Sequence, residues 1–398
     1  MSLLDGWSYE RRDTDTDCAD KVHGDVIKPA RGSRTRTVIG VSQVMSNKYG
    51  DFYPTKWGFK KAIADEHLPS PQQFMPEYLN NPSFYEKGYH MENVGDGGNF
   101  YWVTSPAGYD GGFVVTGSGV IVIDAPPGLG ENMQSAIRSV TREPVTHLIY
   151  SHWHSDHIGA ASQYGPDVKI VAHEITRELL ERFPDKYRPL PTETFKTDAT
   201  LEVGGTKLEL SYKGADHCPG NIYIYGPEQK VLTKIDIVSP GSVTFMHCDV
   251  SENISGFYQA HDDILSYDFK ALIGGHISRW GTREDVEIVR EYWHDLLAYA
   301  EEALREMSNA EALQGFVVGL GREYQMVGAE NWINSIANYA TEKTLTKVTS
   351  NGQTWPERLA GATVFTKYHA WTVAETFRTE RTHFGYQKEG NGGPFYIA

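Results

Sequence analysis

Six residues constrain this chain more than any others: His152-Trp-His154-Ser-Asp156-His157, placed directly after the apolar run Val145-Thr-His-Leu-Ile-Tyr150. The run reads as a strand, and its end carries three imidazoles and a carboxylate, all side chains that bind zinc or iron. In extended backbone alternate side chains share a face, so His152, His154 and Asp156 can address one point. His157 follows where the chain turns. Gly159 and the small residues at 160–162 permit a close turn into a helix. Two metals can be served from this one loop. An isolated His-X-His is commonly a surface feature, whereas four ligand groups converging at a strand end mark a functional site.

Further ligand types stand at the ends of other apolar runs. Asp124 closes Gly119-Val-Ile-Val-Ile-Asp124, and Asp236 closes Val231-Leu-Thr-Lys-Ile-Asp236. His276 closes Ala271-Leu-Ile-Gly-Gly-His276, and His217 lies in the turn Gly214-Ala-Asp-His-Cys-Pro-Gly-Asn221 after the strand-like stretch Lys207 to Tyr212. The carboxyl ends of strands are where α/β sheets place their sites. Singly, Asp124 reads equally as a helix cap and His217 as a turn residue. The ordered series carries the argument.

That series, Asp124, His152-X-His154-X-Asp156-His157, His217, Asp236 and His276, resembles the five signature motifs of the metallo-β-lactamase superfamily over roughly residues 94–310. The resemblance implies an α+β fold, an αββα four-layer sandwich, with an N-terminal extension over 1–93 and a helical C-terminal extension over 311–398. It implies a first metal bound by His152, His154 and His217. A second would be bound by Asp156, His157 and His276, with Asp236 bridging the two and Asp124 orienting the histidine loop. The cofactors expected are two Zn2+, with iron or manganese also accepted by these ligands.

The chemistry such a site allows follows from the ligands. Two divalent metals roughly 3.5–4 Å apart can share a water and lower its pKa to about 7. A bridging hydroxide then attacks an electrophile whose developing oxyanion one metal stabilises. Asp156 can move a proton besides binding metal, which makes it the catalytic candidate. No Gly-X-Ser-X-Gly elbow is present. The expected activity is a dinuclear zinc hydrolase acting on a small ester, lactone, thioester or amide-like (β-lactam) substrate. A phosphate or sulfate ester hydrolase on the same site is one alternative. A mononuclear iron persulfide dioxygenase is another, disfavoured by the complete second ligand set. An intact ligand set also disfavours a non-catalytic relic, because unpaired buried histidines and carboxylates are costly.

Departures narrow the family resemblance. His154 stands where flavo-diiron oxygen reductases carry Glu, and Asp236 stands where one β-lactamase branch carries a cysteine ligand. An aspartate there is similar to the lactonase, thioesterase and alkylsulfatase branches. His-Trp-His replaces the His-His-His run of glyoxalase II. Cys218, beside His217, is out of register for a ligand and reads as a small buried or turn residue. Phe245, Met246 and His247 follow the bridging position; Phe245 and His247 are candidates to line a substrate pocket, His247 being weighed as a proton donor against a plain surface histidine.

Composition excludes other classes. The net charge of −15 over 398 residues disfavours a binder of nucleic-acid phosphates, the run Arg31–Arg36 notwithstanding. Three cysteines, Cys18, Cys218 and Cys248, make no disulfide framework. No apolar stretch reaches the ~18 residues of a membrane span. The N-terminus lacks the apolar core of a signal peptide. A cytoplasmic protein is expected, a removed secretion signal being the alternative. The expected partner is a small-molecule substrate, with no nucleic acid, no membrane, and a homo-oligomer as an option. Residues 56–90 are rich in aromatics and proline and suit packing around the sandwich, a cover over the metals or a dimer contact.

Strands are expected at 99–104, 112–116, 119–124, 168–172, 201–212, 221–225 and 230–236, with helices at 131–140 and 174–183. Val286, Val289, Trp293, Leu296, Leu297, Ala300, Leu304 and Met307 recur at helical steps, and Thr282 with Asp285 resembles a capping box. Gly315–Gly321 lacks the spacing and the lysine of a nucleotide loop. The last ninety or so residues suit a pocket wall or an oligomer contact.

Overall fold

The computed structural model describes residues 76–306 and 325–380, all within one compact unit, Thr55–Ala398. Arg31–Arg36, Cys18, Met307, Gly315–Gly321 and the tail from 381 lie outside the described residues.

Two sheets face each other. In the first, β1 (His90–Asn93), β2 (Phe100–Thr104), β3 (Asp110–Val115) and β4 (Val120–Ile123) are antiparallel neighbours. From β4 the sheet continues in parallel through β5 (Val145–Ile149), β6 (Lys169–His173) and β7 (Glu193–Phe195). In the second, β8 (Asp198–Val203), β9 (Thr206–Ser211), β10 (Tyr223–Gly226) and β11 (Val231–Thr233) run antiparallel. There β12 (Ala271–Ile273) pairs parallel to β11.

Side-chain alternation dictates the layering. On β4, Ile121 and Ile123 pack between the sheets against Leu208, Leu210 and Ile224. Val120 and Val122 face the other way, against Met133, Ala136 and Ile137. Both faces of β4 are covered, which is why it reads as continuous Val/Ile. A short helix α1 (Pro82–Lys87) precedes the sheets. The outer layer on the first sheet is α2 (Glu131–Val140) with α4 (Glu174–Arg182); between them lies one turn, α3 (Ser155–Ile158). Beyond the second sheet, Tyr223, Leu232 and Leu272 share a cluster with α5 (Ile254–Leu265) and α6 (Arg283–Glu306). The order helix, sheet, sheet, helix is the αββα sandwich.

Residues 201–212 are not one strand. Gly204 and Gly205, at φ +58° and +85°, form a two-residue turn between β8 and β9. Positive φ at both positions suits the twist of a hairpin, and the apolar alternation continuing through the turn disguises it. The capping box at α6 is present: Thr282 N–H donates to Asp285 Oδ2 at 2.8 Å, and Asp285 N–H returns to Thr282 Oγ1 at 3.3 Å.

The C-terminal helices α7 (Gln325–Thr346), α8 (Trp355–Arg358) and α9 (Ala362–Glu380) bury Trp332, Ile336, Trp355, Val373 and Phe377 in the same cluster as α5 and α6. None of the described helices is long and apolar enough to cross a membrane.

Helix α9 reaches back towards residues 244–248. His369 Nδ1 accepts from Cys248 N–H at 3.0 Å, and Nε2–H donates to the Thr244 carbonyl at 3.1 Å. Burial lowers the His369 pKa to about 3. The unfolded chain therefore takes up a proton here, from about pH 6.5 downward, that the folded chain refuses until about pH 3. Stability supplied by neutral His369 is complete above that window and is lost on acidification. The stability difference between wild type and His369→Gln should shrink as pH falls from 7 to 4.5, read as Tm against pH. A difference constant across that range would contradict the assignment.

Candidate metal centre

Five loops at one end of the sandwich bring the ligand types together. The chain leaves β5 through bends at Ser151–Trp153 and enters α3 after His154, whose ψ is 141°, so Asp156 and His157 sit on a helical turn. The extended alternation expected from 152 to 156 is not found: bends and then a helical turn bring these side chains together. Asp124 follows β4 at φ +60°, and Asp236 follows β11 at φ +63°. Aspartate tolerates this left-handed region better than most residues, though at some cost. His276 follows β12, which lies beside β11.

Asp236 is the hub. Its Oδ2 lies 3.5 Å from His152 Nε2, 3.1 Å from His157 Nε2 and 3.3 Å from His217 Nε2. Its Oδ1 lies 3.2 Å from His276 Nε2. His154 enters through Nδ1, 3.0 Å from His217 Nε2, and His157 and His276 approach Nε2 to Nε2 at 3.1 Å. Asp156 Oδ2 is 3.5 Å from His157 Nε2 and 3.9 Å from His276 Nε2. Donor atoms each about 2.0–2.2 Å from a shared tetrahedral metal stand roughly 3.3–3.6 Å apart. The separations in the cluster, from 3.0 to 3.9 Å, bracket that spacing.

Hydrogen bonds behind the cluster fix which nitrogen faces inward. Asp124 Oδ1 accepts from Ser151 N–H at 2.8 Å and Oδ2 from Ser151 Oγ–H at 2.6 Å. With its proton committed to Asp124, Ser151 Oγ accepts from His152 Nδ1–H at 2.9 Å. His152 Nε2 then presents a lone pair. Ser251 does the same for His217: its hydroxyl donates to the Cys248 carbonyl and its oxygen stands 3.4 Å from His217 Nδ1. Such partners orient ligating histidines and fix their tautomers.

Fully buried, His152 Nε2 has no hydrogen-bond partner, and nor does His157 Nδ1. An unpaired buried acceptor is costly, and a cation between His152 and Asp236 removes that cost. Gly275, at φ +97°, keeps the space open: a Cβ there would stand 3.1 Å from both Asp236 Oδ1 and His157 Cε1. These donors fit the divalent metals expected.

The electrostatics divide the histidines: burial lowers His152, His154 and His217, while His157 and His276 are raised beside Asp236. Burial works against an anionic Asp236, yet His157 and His217 hold its carboxyl well below the usual range. Burial also opposes charge on His157, but Asp236 outweighs it and raises the pKa to about 10. Burial lowers His217 to about 4.

The His217 loop is braced by ions. Lys234, fully buried, pairs with Asp216 Oδ2 at 2.6 Å and donates to the Asn221 carbonyl at 2.9 Å. Asp216 Oδ1 accepts from His217 N–H at 2.7 Å and from Asn221 Nδ2 at 3.1 Å. The residues preceding two ligands thus lock the β9–β10 loop to the end of β11.

Several neighbours were not legible beforehand. Tyr109 lays its ring 4.9 Å from that of His276. Asp110 is fully buried beneath, its N–H bonded to the Gly275 carbonyl at 2.8 Å, and burial pushes its carboxyl up to about 8. Asp249 offers a carboxylate oxygen within 4.8 Å of donor atoms of His217 and Asp236. Burial, then Asp236, raises its pKa to about 7. Cys218 is buried as expected, but its Sγ lies within 4.8 Å of donors of His152, His154 and His217. Of these, only Cys218 was singled out in the sequence, as a small buried or turn residue. Phe245 is half exposed and packs edge-on to Phe365 at 5.5 Å. His247 bonds Thr372 Oγ1 at 2.9 Å and rests against Tyr368 and Trp371, so its side chain packs against α9.

Residues 110–301 match the family model of the metallo-beta-lactamase superfamily. 2,4-Dinitroanisole O-demethylase subunit alpha of Nocardioides sp. (strain JS1661) is 31% identical over 193 residues, 47% of this chain and 58% of that protein. Among solved structures, a metallo-beta-lactamase from Pontibacter korlensis aligns at 23% identity and TM-score 0.43, covering 51% of this chain and 98% of its own. Metallo-beta-lactamase IND-7 aligns at 21% and TM-score 0.45, covering 51% and 96%. Residues 110–301 form a domain of the metallo-β-lactamase superfamily.

Breaking the buried pair should be expensive. Lys234→Met leaves the Asp216 charge buried and unpaired, and should cost about 3–5 kcal/mol by urea denaturation. The double variant with Asp216→Asn should recover part of it. A single variant within about 0.5 kcal/mol of wild type would contradict the bracing role.

Proposed function

We propose that this protein is a binuclear metal-dependent hydrolase of small electrophilic substrates: an ester, lactone, thioester or amide. The observation that carries the reading is the Asp236 carboxylate, with Oδ2 facing His152, His157 and His217 and Oδ1 facing His276. On this reading His152, His154 and His217 hold one metal, Asp156, His157 and His276 a second, and Asp236 both. Bound there, two divalent metals supply Lewis acidity and a water acidified to a pKa of about 7.

The chain's own groups do the rest. Asp156 is the most exposed carboxylate of the ligand set, its side chain 42% accessible, which suits it to take a proton from water or pass one to a leaving group. The phenol of Tyr109 is kept protonated, its pKa raised by burial and then by Asp156 and Asp236, so it can donate a hydrogen bond to a substrate oxygen. Trp153 lies beside His154 at 5.3 Å between ring centres and stacks on the half-exposed Phe183. Flat apolar surface beside the ligands suits a substrate with an aromatic or acyl body.

A second reading comes from the relative that acts, by its name, on a dinitro-substituted aryl methyl ether. Hydrolysis of such an ether needs the same nucleophile. Hydroxide adds to the ring carbon bearing methoxy, the nitro groups accept the charge, and the C–O bond breaks to give a phenol and, after protonation, methanol. No oxidant is required.

A panel of chromogenic esters, lactones, thioesters, a phosphodiester and a dinitroaryl ether tests the proposal. Turnover of a carbonyl or aryl-ether substrate is expected. It should fall more than about 100-fold in His154→Ala and Asp156→Ala with the fold retained, since groups that merely orient metal ligands are worth about 10–100-fold. Full activity in either variant would overturn it, as would oxygen consumption with a persulfide by a protein carrying a single iron.

A further inference from the structure

His247, Cys248, Asp249 and Val250 adopt φ of 58°, 55°, 61° and 55°, one left-handed turn with no glycine in it. Each such residue is disfavoured relative to the right-handed form, and runs of them are not a routine turn. Contacts hold this one in place. Cys248 is fully buried and its N–H is bound by His369; His247 is bound by Thr372; Asp249 N–H donates to the Phe245 carbonyl at 2.9 Å. While His247 is spent on α9, Asp249 joins the ligand cluster, its carboxylate within 4.8 Å of donors of both His217 and Asp236. In the same cluster His152 Nε2, fully buried, lacks any hydrogen-bond partner.

We infer that Asp249 is a further metal ligand, a third carboxylate beside Asp156 and Asp236, delivered to the centre by the left-handed turn. The inference rests on the binuclear reading above and adds to it. Its chemical consequence is definite. Another anionic oxygen beside His217 and Asp236 raises the coordination number and hardens the site. Zinc favours four ligands of nitrogen and sulfur with few oxygens, whereas manganese and ferrous iron accept oxygen-rich, higher coordination. Asp249 therefore biases the centre towards Mn2+ or Fe2+.

The test is metal binding by the full chain, read without any assay of turnover. Asp249→Asn keeps the shape and tolerates positive φ, and Asp249→Gly removes the side chain while relieving the turn. Each is dialysed against buffered Zn2+ and, separately, Mn2+, with metal per chain measured by mass spectrometry; Co2+ absorption reports coordination number. His154→Ala is the control for the centre itself. Both Asp249 variants should bind one of the two Mn2+ ions at least about tenfold more weakly, with a smaller loss for Zn2+. Their Co2+ bands should strengthen as the coordination number falls. Wild-type affinities and spectra in both, with metal lost in His154→Ala, would refute the role of Asp249 and leave the centre standing. Metal retained in full by His154→Ala would remove the binuclear reading and this inference together.

Discussion

One carboxylate among imidazoles governs this architecture. Asp236 is almost wholly buried, anionic, and approached by four histidines within 3.5 Å. No single strand can assemble that group. His152, His154 and His157 come from the end of β5, His217 from the β9–β10 turn, and His276 from the end of β12. The two sheets must meet with these ends level, and hydrogen bonds at the seam hold them so. Ile222 N–H donates to the Ser151 carbonyl at 2.9 Å, and Asp110 N–H to the Gly275 carbonyl at 2.8 Å.

Assembling the centre stores strain and buries charge. Asp124, Asp236, residues 247–250, Ile277 and Ser278 all carry positive φ without being glycine. The Lys234–Asp216 pair is buried where an apolar pair of similar volume is often no less stable. Such features persist only where surrounding packing over-determines them. Here three hydrophobic clusters supply that packing: one between the sheets and one beneath each helical layer. The third includes α7 and α9, so the C-terminal helices stabilise the wall from which Asp249 and Ser251 project.

The sheets and the histidine-rich loop were legible because their signals are local. Val/Ile runs ending in Asp or His announce strands with a polar group at the tip, and β4, β5 and α2 lie where those runs put them. The hairpin at Gly204-Gly205 was hidden because apolar alternation continues across it. The left-handed turn was hidden for a deeper reason. Nothing in Met246-His-Cys-Asp-Val250 favours positive φ over four residues; tertiary contacts from α9, more than a hundred residues away in sequence, impose it. Periodicity therefore could not tell that Asp249 faces the ligand cluster while His247 faces α9. Tyr109 and Asp110 escaped notice similarly, since only the pairing of residue 109 with 276 brings them to the centre.

The central claim is that Asp236 lies between two metals. Anomalous diffraction at the metal absorption edge, from crystals of metal-loaded protein, tests it most directly. Two peaks roughly 3.5–4 Å apart, one on each side of the Asp236 carboxylate, are the predicted result. A single peak at His152, His154 and His217, or density remote from Asp236, would contradict the account.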